Sequence, residues 1–108
     1  MDTGPLSISL AVKSLKASRA FYKTLGFTVI DGDGKSWAMM QRGSAKIGLF
    51  EAMFEGNMLT FNPPDVRTVA SALVADGYEI ESGSGGSDDE VHFIVSDPDG
   101  NRILFDQI

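Results

Sequence analysis

Ser14-Leu15-Lys16-Ala17-Ser18-Arg19-Ala20-Phe21-Tyr22-Lys23-Thr24-Leu25-Gly26-Phe27 reads as one complete helix with both ends marked. Ser14 stands where an N-cap belongs, because its side-chain oxygen can accept from the helix's first free N–H groups. Apolar residues fall at Leu15, Ala17, Ala20, Phe21, Tyr22 and Leu25, close to the period of a helix with one buried stripe. Gly26 is the stop. A helix end commonly needs one left-handed residue, and glycine adopts that conformation without a Cβ clash. The same punctuation recurs 51 residues later. Asp65 takes the place of Ser14, Gly77 that of Gly26, and Tyr78 that of Phe27. Three matched features at one offset imply an internal duplication.

The flanking sequence extends each copy. Residues 6–12 alternate strictly, which predicts a half-buried strand. Ile8, Leu10 and Val12 are expected on the core face, with Ser7, Ser9 and Ala11 on the other. Strands are predicted over 27–30, 37–41 and 46–51 after the first helix. Asp31-Gly32-Asp33-Gly34-Lys35 has the start of a calcium loop but none of its later ligands, so it reads as a turn. Arg42-Gly43-Ser44 reads as a tight hairpin. In the second copy a strand is predicted over 58–62, a helix from its cap Asp65 to about Asp76, and strands over 78–81, 91–95 and 102–106. Ser82 to Ser87 is Ser/Gly-rich and reads as a flexible loop and candidate flap. The expected fold class is α+β. Two βαβββ repeats, about 5–51 and 57–108, form a curved, mostly antiparallel sheet with helices on its convex side, in a single domain 1–108.

The 108-residue chain carries a formal charge of −6 with scattered Lys and Arg, which argues against nucleic-acid and anionic-membrane partners. No apolar run approaches the roughly 20 residues of a membrane span. The N-terminus, Met1-Asp2-Thr3-Gly4-Pro5, has no signal-peptide pattern, so a cytoplasmic protein is expected. There is no Cys, hence no disulfide and no thiolate nucleophile or metal ligand.

The helix motif from Ser14 to Phe27, with the turn Asp97-Pro98-Asp99-Gly100-Asn101, resembles the vicinal oxygen chelate superfamily. That family includes glyoxalase I, bleomycin-resistance proteins and extradiol dioxygenases. The resemblance covers nearly the whole chain. It implies a ligand cleft on the concave sheet face and, in metal-using relatives, His, Glu or Gln at four positions on the first and last strands of each repeat. Carried onto this chain, those positions are Ser7, Gly48, Met58 and Leu104. None suits a zinc, nickel, manganese or iron(II) site, and a slip of one residue either way supplies no acidic or imidazole ligand. No metal and no other cofactor is therefore expected. The resemblance also implies a homodimer, supported by the apolar connector Ala52-Met53-Phe54.

The expected ligand contacts follow from alternation. Trp37 and Met39 share one strand face, where Trp37 serves either as a stacking platform or as core. Phe50, Met53, Phe54, Met58 and Leu104 make the cleft apolar, and methionine suits a loosely selective pocket. Thr60, Asn62 and Arg102 are its polar members. Arg102 reads either as a partner for a ligand carboxylate or as half of a surface ion pair with Asp106. His92 is the only histidine. It reads as a ligand contact, a weak candidate general base, or a plain exposed residue. The leading reading is a metal-free binder of a small, partly apolar organic molecule. The alternative is a superfamily enzyme of lyase or isomerase type acting on a small carbonyl or aromatic metabolite.

Overall fold

The computed structural model describes residues 1–83 and 92–107. The chain separates into two compact units, Ser7–Asn57 and Met58–Ile108 with Met1–Leu6. Each has the order βαβββ, so the α+β class and the duplication stand. The first contains β1 (Leu6–Val12), α1 (Leu15–Thr24), β2 (Thr28–Gly32), β3 (Trp37–Arg42) and β4 (Ala45–Glu51). The second contains β5 (Met58–Phe61), α2 (Val66–Ala75), β6 (Ser82–Gly83), β7 (His92–Ser96) and β8 (Arg102–Asp106). Pairing is mostly antiparallel in both. β2 pairs β3 and β3 pairs β4, as β6 pairs β7 and β7 pairs β8. The first strand of each unit runs parallel to its last: β1 to β4, and β5 to β8.

The repeat extends to single hydrogen bonds. Ser14 Oγ accepts from Ala17 N, and Asp65 Oδ1 accepts from Arg67 N. At the other helix ends, Phe27 N donates to Tyr22 O and Gly26 N to Lys23 O. In the second unit Tyr78 N donates to Leu73 O and Gly77 N to Val74 O. Both ends are therefore the same Schellman cap, with Gly26 at φ 97° and Gly77 at φ 90°. The first turns match as well. Leu15 N donates to Glu51 Oε1 and Val66 N to Gln107 Oε1, each at 2.8 Å. A side chain at the end of the last strand thus satisfies an orphan donor at the start of the helix.

Each helix covers one face of the strands in its own unit. Leu15 packs with Ala38, Met40, Ile47 and Leu49. Val66, Val69 and Ala70 pack with Phe93, Val95 and Phe105. Phe93 is fully buried, and truncating such a ring costs about 3–5 kcal/mol. Among the described residues no helix is long and apolar enough to cross a membrane.

Two expectations need correction. Residues 78–81 are not a strand, and pairing begins only at Ser82, opposite Ile94. Tyr78 closes the helix cap instead, and Ile80 packs on the core. The strand therefore starts inside the stretch expected to be a loop. The flap proper, residues 84–87, and Val91 lie outside the described residues. In β1, Ile8 is 42% exposed while Ser7 and Ser9 are each 3% exposed. A ten-residue helix is about 15 Å long and a seven-residue strand about 23 Å, so α1 cannot cover all of β1. Leu10 and Val12 reach the α1 core, and Ile8 does not.

Candidate functional site

The face of the first unit away from α1 carries a tier of aromatic rings. On β3 and β4, Trp37 stands opposite Phe50 and Met39 opposite Gly48. Alternation sends Ala38 and Met40 into the core, leaving Trp37 and Met39 half-buried on the outer face. The Trp37 and Phe50 rings are parallel to within 8°, with centroids 6.2 Å apart. Phe54 tilts against Phe50 at 5.3 Å. It follows Ala52, whose φ of 57° turns the chain sharply off β4. Met53 next to it is 56% exposed, so it leaves the tier that it was expected to line.

Phe50 leans along its strand and covers Gly48. A Cβ built on Gly48 would lie 2.6 Å from Phe50 Cε2, closer than real side chains approach. Met39 Cε would lie 3.4 Å from it. The missing side chain at Gly48 is what makes room for the ring.

The turn leading into Trp37 is tightly held. Asp33 accepts from the backbone N–H groups of Lys35, Ser36 and Trp37 and from the Ser36 hydroxyl. These bonds, the hydroxyl's first, hold the Asp33 carboxyl well below the usual carboxylate range. The turn thus fixes where β3 begins and where its indole stands.

The second unit sets polar and ionisable groups at both ends of the corresponding face, with Ile94 and Leu104 between them. His92 stands opposite Asp106, Ile94 opposite Leu104, and Ser96 opposite Arg102. Taking Leu104 as the counterpart of Gly48, the His92 and Asp106 positions match those of Trp37 and Phe50. One repeat places a stacked aromatic pair where the other places a histidine and a carboxylate. Burial raises the Asp106 pKa, and the neighbouring His92 opposes that rise. His92 itself is exposed. Asn62 Nδ2 donates to the Asp106 backbone oxygen at 2.8 Å, which commits the amide to structure. Thr60 is buried beside Leu104 across the β5–β8 pair, and Met58 is buried on the same side of β5.

Arg102 does not pair with Asp106. Four residues of strand separate them by about 13 Å, beyond any side-chain ion pair. Its Nε lies instead 3.7 Å from Glu81 Oε1, while Ser96 donates to Glu81 Oε2 at 2.8 Å. Glu81 and the pairing of Asp106 with His92 were missed in the sequence. Alternation does put Asp106 on the His92 side of β8. Which residue it faces depends on the length of the β7–β8 turn, and that turn is built by Asp97. Its carboxylate accepts from Asp99 N, Asn101 N and Asn101 Nδ2, and the Asn101 side chain leads in lowering its pKa.

The four positions to which the family resemblance carries metal ligands offer no set of cation donors in this chain. Gly48 is capped by Phe50, and Met58 and Leu104 are apolar. Ser7 offers one neutral hydroxyl, buried without a hydrogen-bond partner. Among the described residues no three His, Asp or Glu side chains group as a metal site.

Comparison with known proteins agrees with this frame. No curated protein matches the chain. A crystal structure of a glyoxalase/bleomycin resistance protein/dioxygenase superfamily member from Vibrio splendidus 12B01 is similar at TM-score 0.67 and 16% identity, covering 95% of this chain and 97% of that one. The NAD-dependent benzaldehyde dehydrogenase structure from Legionella pneumophila is similar at TM-score 0.78 and 22% identity, covering 96% and 99%. Such identities establish the fold alone. The sequence model of one family, however, matches residues 4–105, nearly the full length. The chain belongs to the Glyoxalase/Bleomycin resistance protein/Dioxygenase superfamily.

Proposed function

We propose that this protein binds a small, partly apolar organic molecule without a metal of its own, seated on the aromatic face of the first unit. The observation that carries the reading is Phe50 lying over Gly48 beside Trp37. A position used for metal ligation in relatives is here part of an apolar platform. Half-buried parallel rings offer a planar ligand dispersion and stacking, and Met39 adapts to its outline. The second unit's own corresponding face, with Met58, Thr60, Asn62, His92, Arg102 and Leu104, is proposed separately as a ligand-contacting surface.

Trp37 is the only tryptophan, so its emission reports directly on this face. Titration with a panel of planar aromatic compounds shifts or quenches that emission, and metal analysis of the purified protein finds no stoichiometric divalent cation. Unchanged emission across the panel defeats the binding site, and a full complement of tightly held ion defeats the metal-free reading.

A second reading rests on the cross-strand pair His92 and Asp106. A histidine facing a carboxylate of raised pKa is an acid–base couple, which suits a lyase or isomerase acting on a small carbonyl or aromatic metabolite. We also propose a cytoplasmic homodimer. The exposed Phe21 and Met53 support the dimer, and a monomer on gel filtration at micromolar concentration defeats it.

A further inference from the structure

The second unit contains an apolar pocket on its helix side, separate from the face described above. Leu73 near the end of α2, Tyr78 beyond it, Val95 on β7, and Ile103 and Phe105 on β8 line it, with Pro98 at one edge. Its volume is about 170 Å³. A cavity of roughly 150 Å³ is large enough to take up benzene, so this pocket, open on one side, has room for a single aromatic ring.

The duplication shows what fills the same place in the first unit. Leu73 corresponds to Tyr22 and Tyr78 to Phe27, through the identical cap bonds. There the two rings meet edge to face, with centroids 5.8 Å apart. In the second unit leucine replaces the inner ring, and Tyr78, left without it, is 51% exposed. The floor already suits an aromatic guest. Phe105 lies in a stack with Phe61 and Phe93, at 5.4 and 4.9 Å.

The polar residues at the rim are engaged elsewhere. Ser96 donates to Glu81, and the Asp97 carboxylate is bound within its own turn. The pocket therefore offers a guest shape and apolar contact, and an anion beside Asp97 is repelled. We propose that this pocket is a second ligand site, selective for a neutral monocyclic aromatic molecule, whose ring takes the place that Tyr22 holds in the first unit. The proposal stands independently of the ligand seat at Trp37.

Toluene and benzoate are the probes. Toluene titrated into the full-length, methyl-labelled protein shifts the Leu73, Val95 and Ile103 resonances and saturates with a dissociation constant below about 1 mM. Benzoate binds at least tenfold more weakly. Leu73→Tyr supplies the missing ring, abolishes the toluene response and raises the melting temperature. If that variant does not fold, Leu73→Phe tests the same displacement. Toluene binding weaker than about 10 mM, equal binding of benzoate, or undiminished binding by a folded Leu73 variant overturns the site. Trp37 emission is read in parallel, because loss of the Leu73 site leaves it unchanged.

Discussion

The ring of Phe50 lies over Gly48, with Cε2 2.6 Å from where a Cβ would stand. Any side chain placed at position 48 therefore competes with this ring for space. Gly48→Glu forces the ring off its platform and costs about 1–3 kcal/mol, as overpacking does. The variant gains no zinc binding by calorimetry, because Ser7, Met58 and Leu104 still present no imidazole or carboxylate. Tight zinc binding by Gly48→Glu alone overturns this account.

His92 separates the two functional readings. In a binder, His92→Ala keeps most of the affinity measured through Trp37. In an enzyme relying on it for proton transfer, the same change lowers the rate about 100-fold or more. Asp106→Asn belongs in the same experiment, since it removes the carboxylate opposite His92 while keeping the side chain's shape.

Glu51 caps α1 across the unit, and its counterpart Gln107 does the same for α2. Charge is therefore not required at this position. Glu51→Gln is expected to be nearly neutral. Glu51→Ala leaves Leu15 N–H unpaired in a part-buried place and costs about 1–3 kcal/mol. For a domain of this size, 1 kcal/mol lowers the melting temperature by about 4–8 °C.

Acid sensitivity has two opposing contributions. Asp33 and Asp97 have lowered pKa values in the folded state, so their contribution is present above the unfolded value near 3.8 and is lost as pH falls through the folded one. Asp106 is raised, so its contribution is complete at low pH and is lost as pH rises through its folded value. Denaturant melts from about pH 6 to pH 2 should show stability declining at the acid end. Asp33→Asn flattens that decline. Asp106→Asn removes the loss on the way up from acid. Unchanged profiles in both variants contradict these assignments.

The sequence by itself determined the repeat. Ser14 and Asp65, Gly26 and Gly77, and Phe27 and Tyr78 are local signals, and capping and left-handed turns are decided within a few residues. Alternation likewise placed Trp37 and Met39 on the other strand face from Ala38 and Met40, and His92 on the other face from Phe93. Tertiary structure decided what those faces became. That Phe50 lies over Gly48, that His92 meets Asp106, and that Arg102 finds Glu81 all depend on cross-strand register. Register is set by turn length and by pairing between distant segments, which no local pattern encodes. The residue types at Ser7, Gly48, Met58 and Leu104 were legible once the family resemblance pointed to those positions, and the ring that covers Gly48 was not.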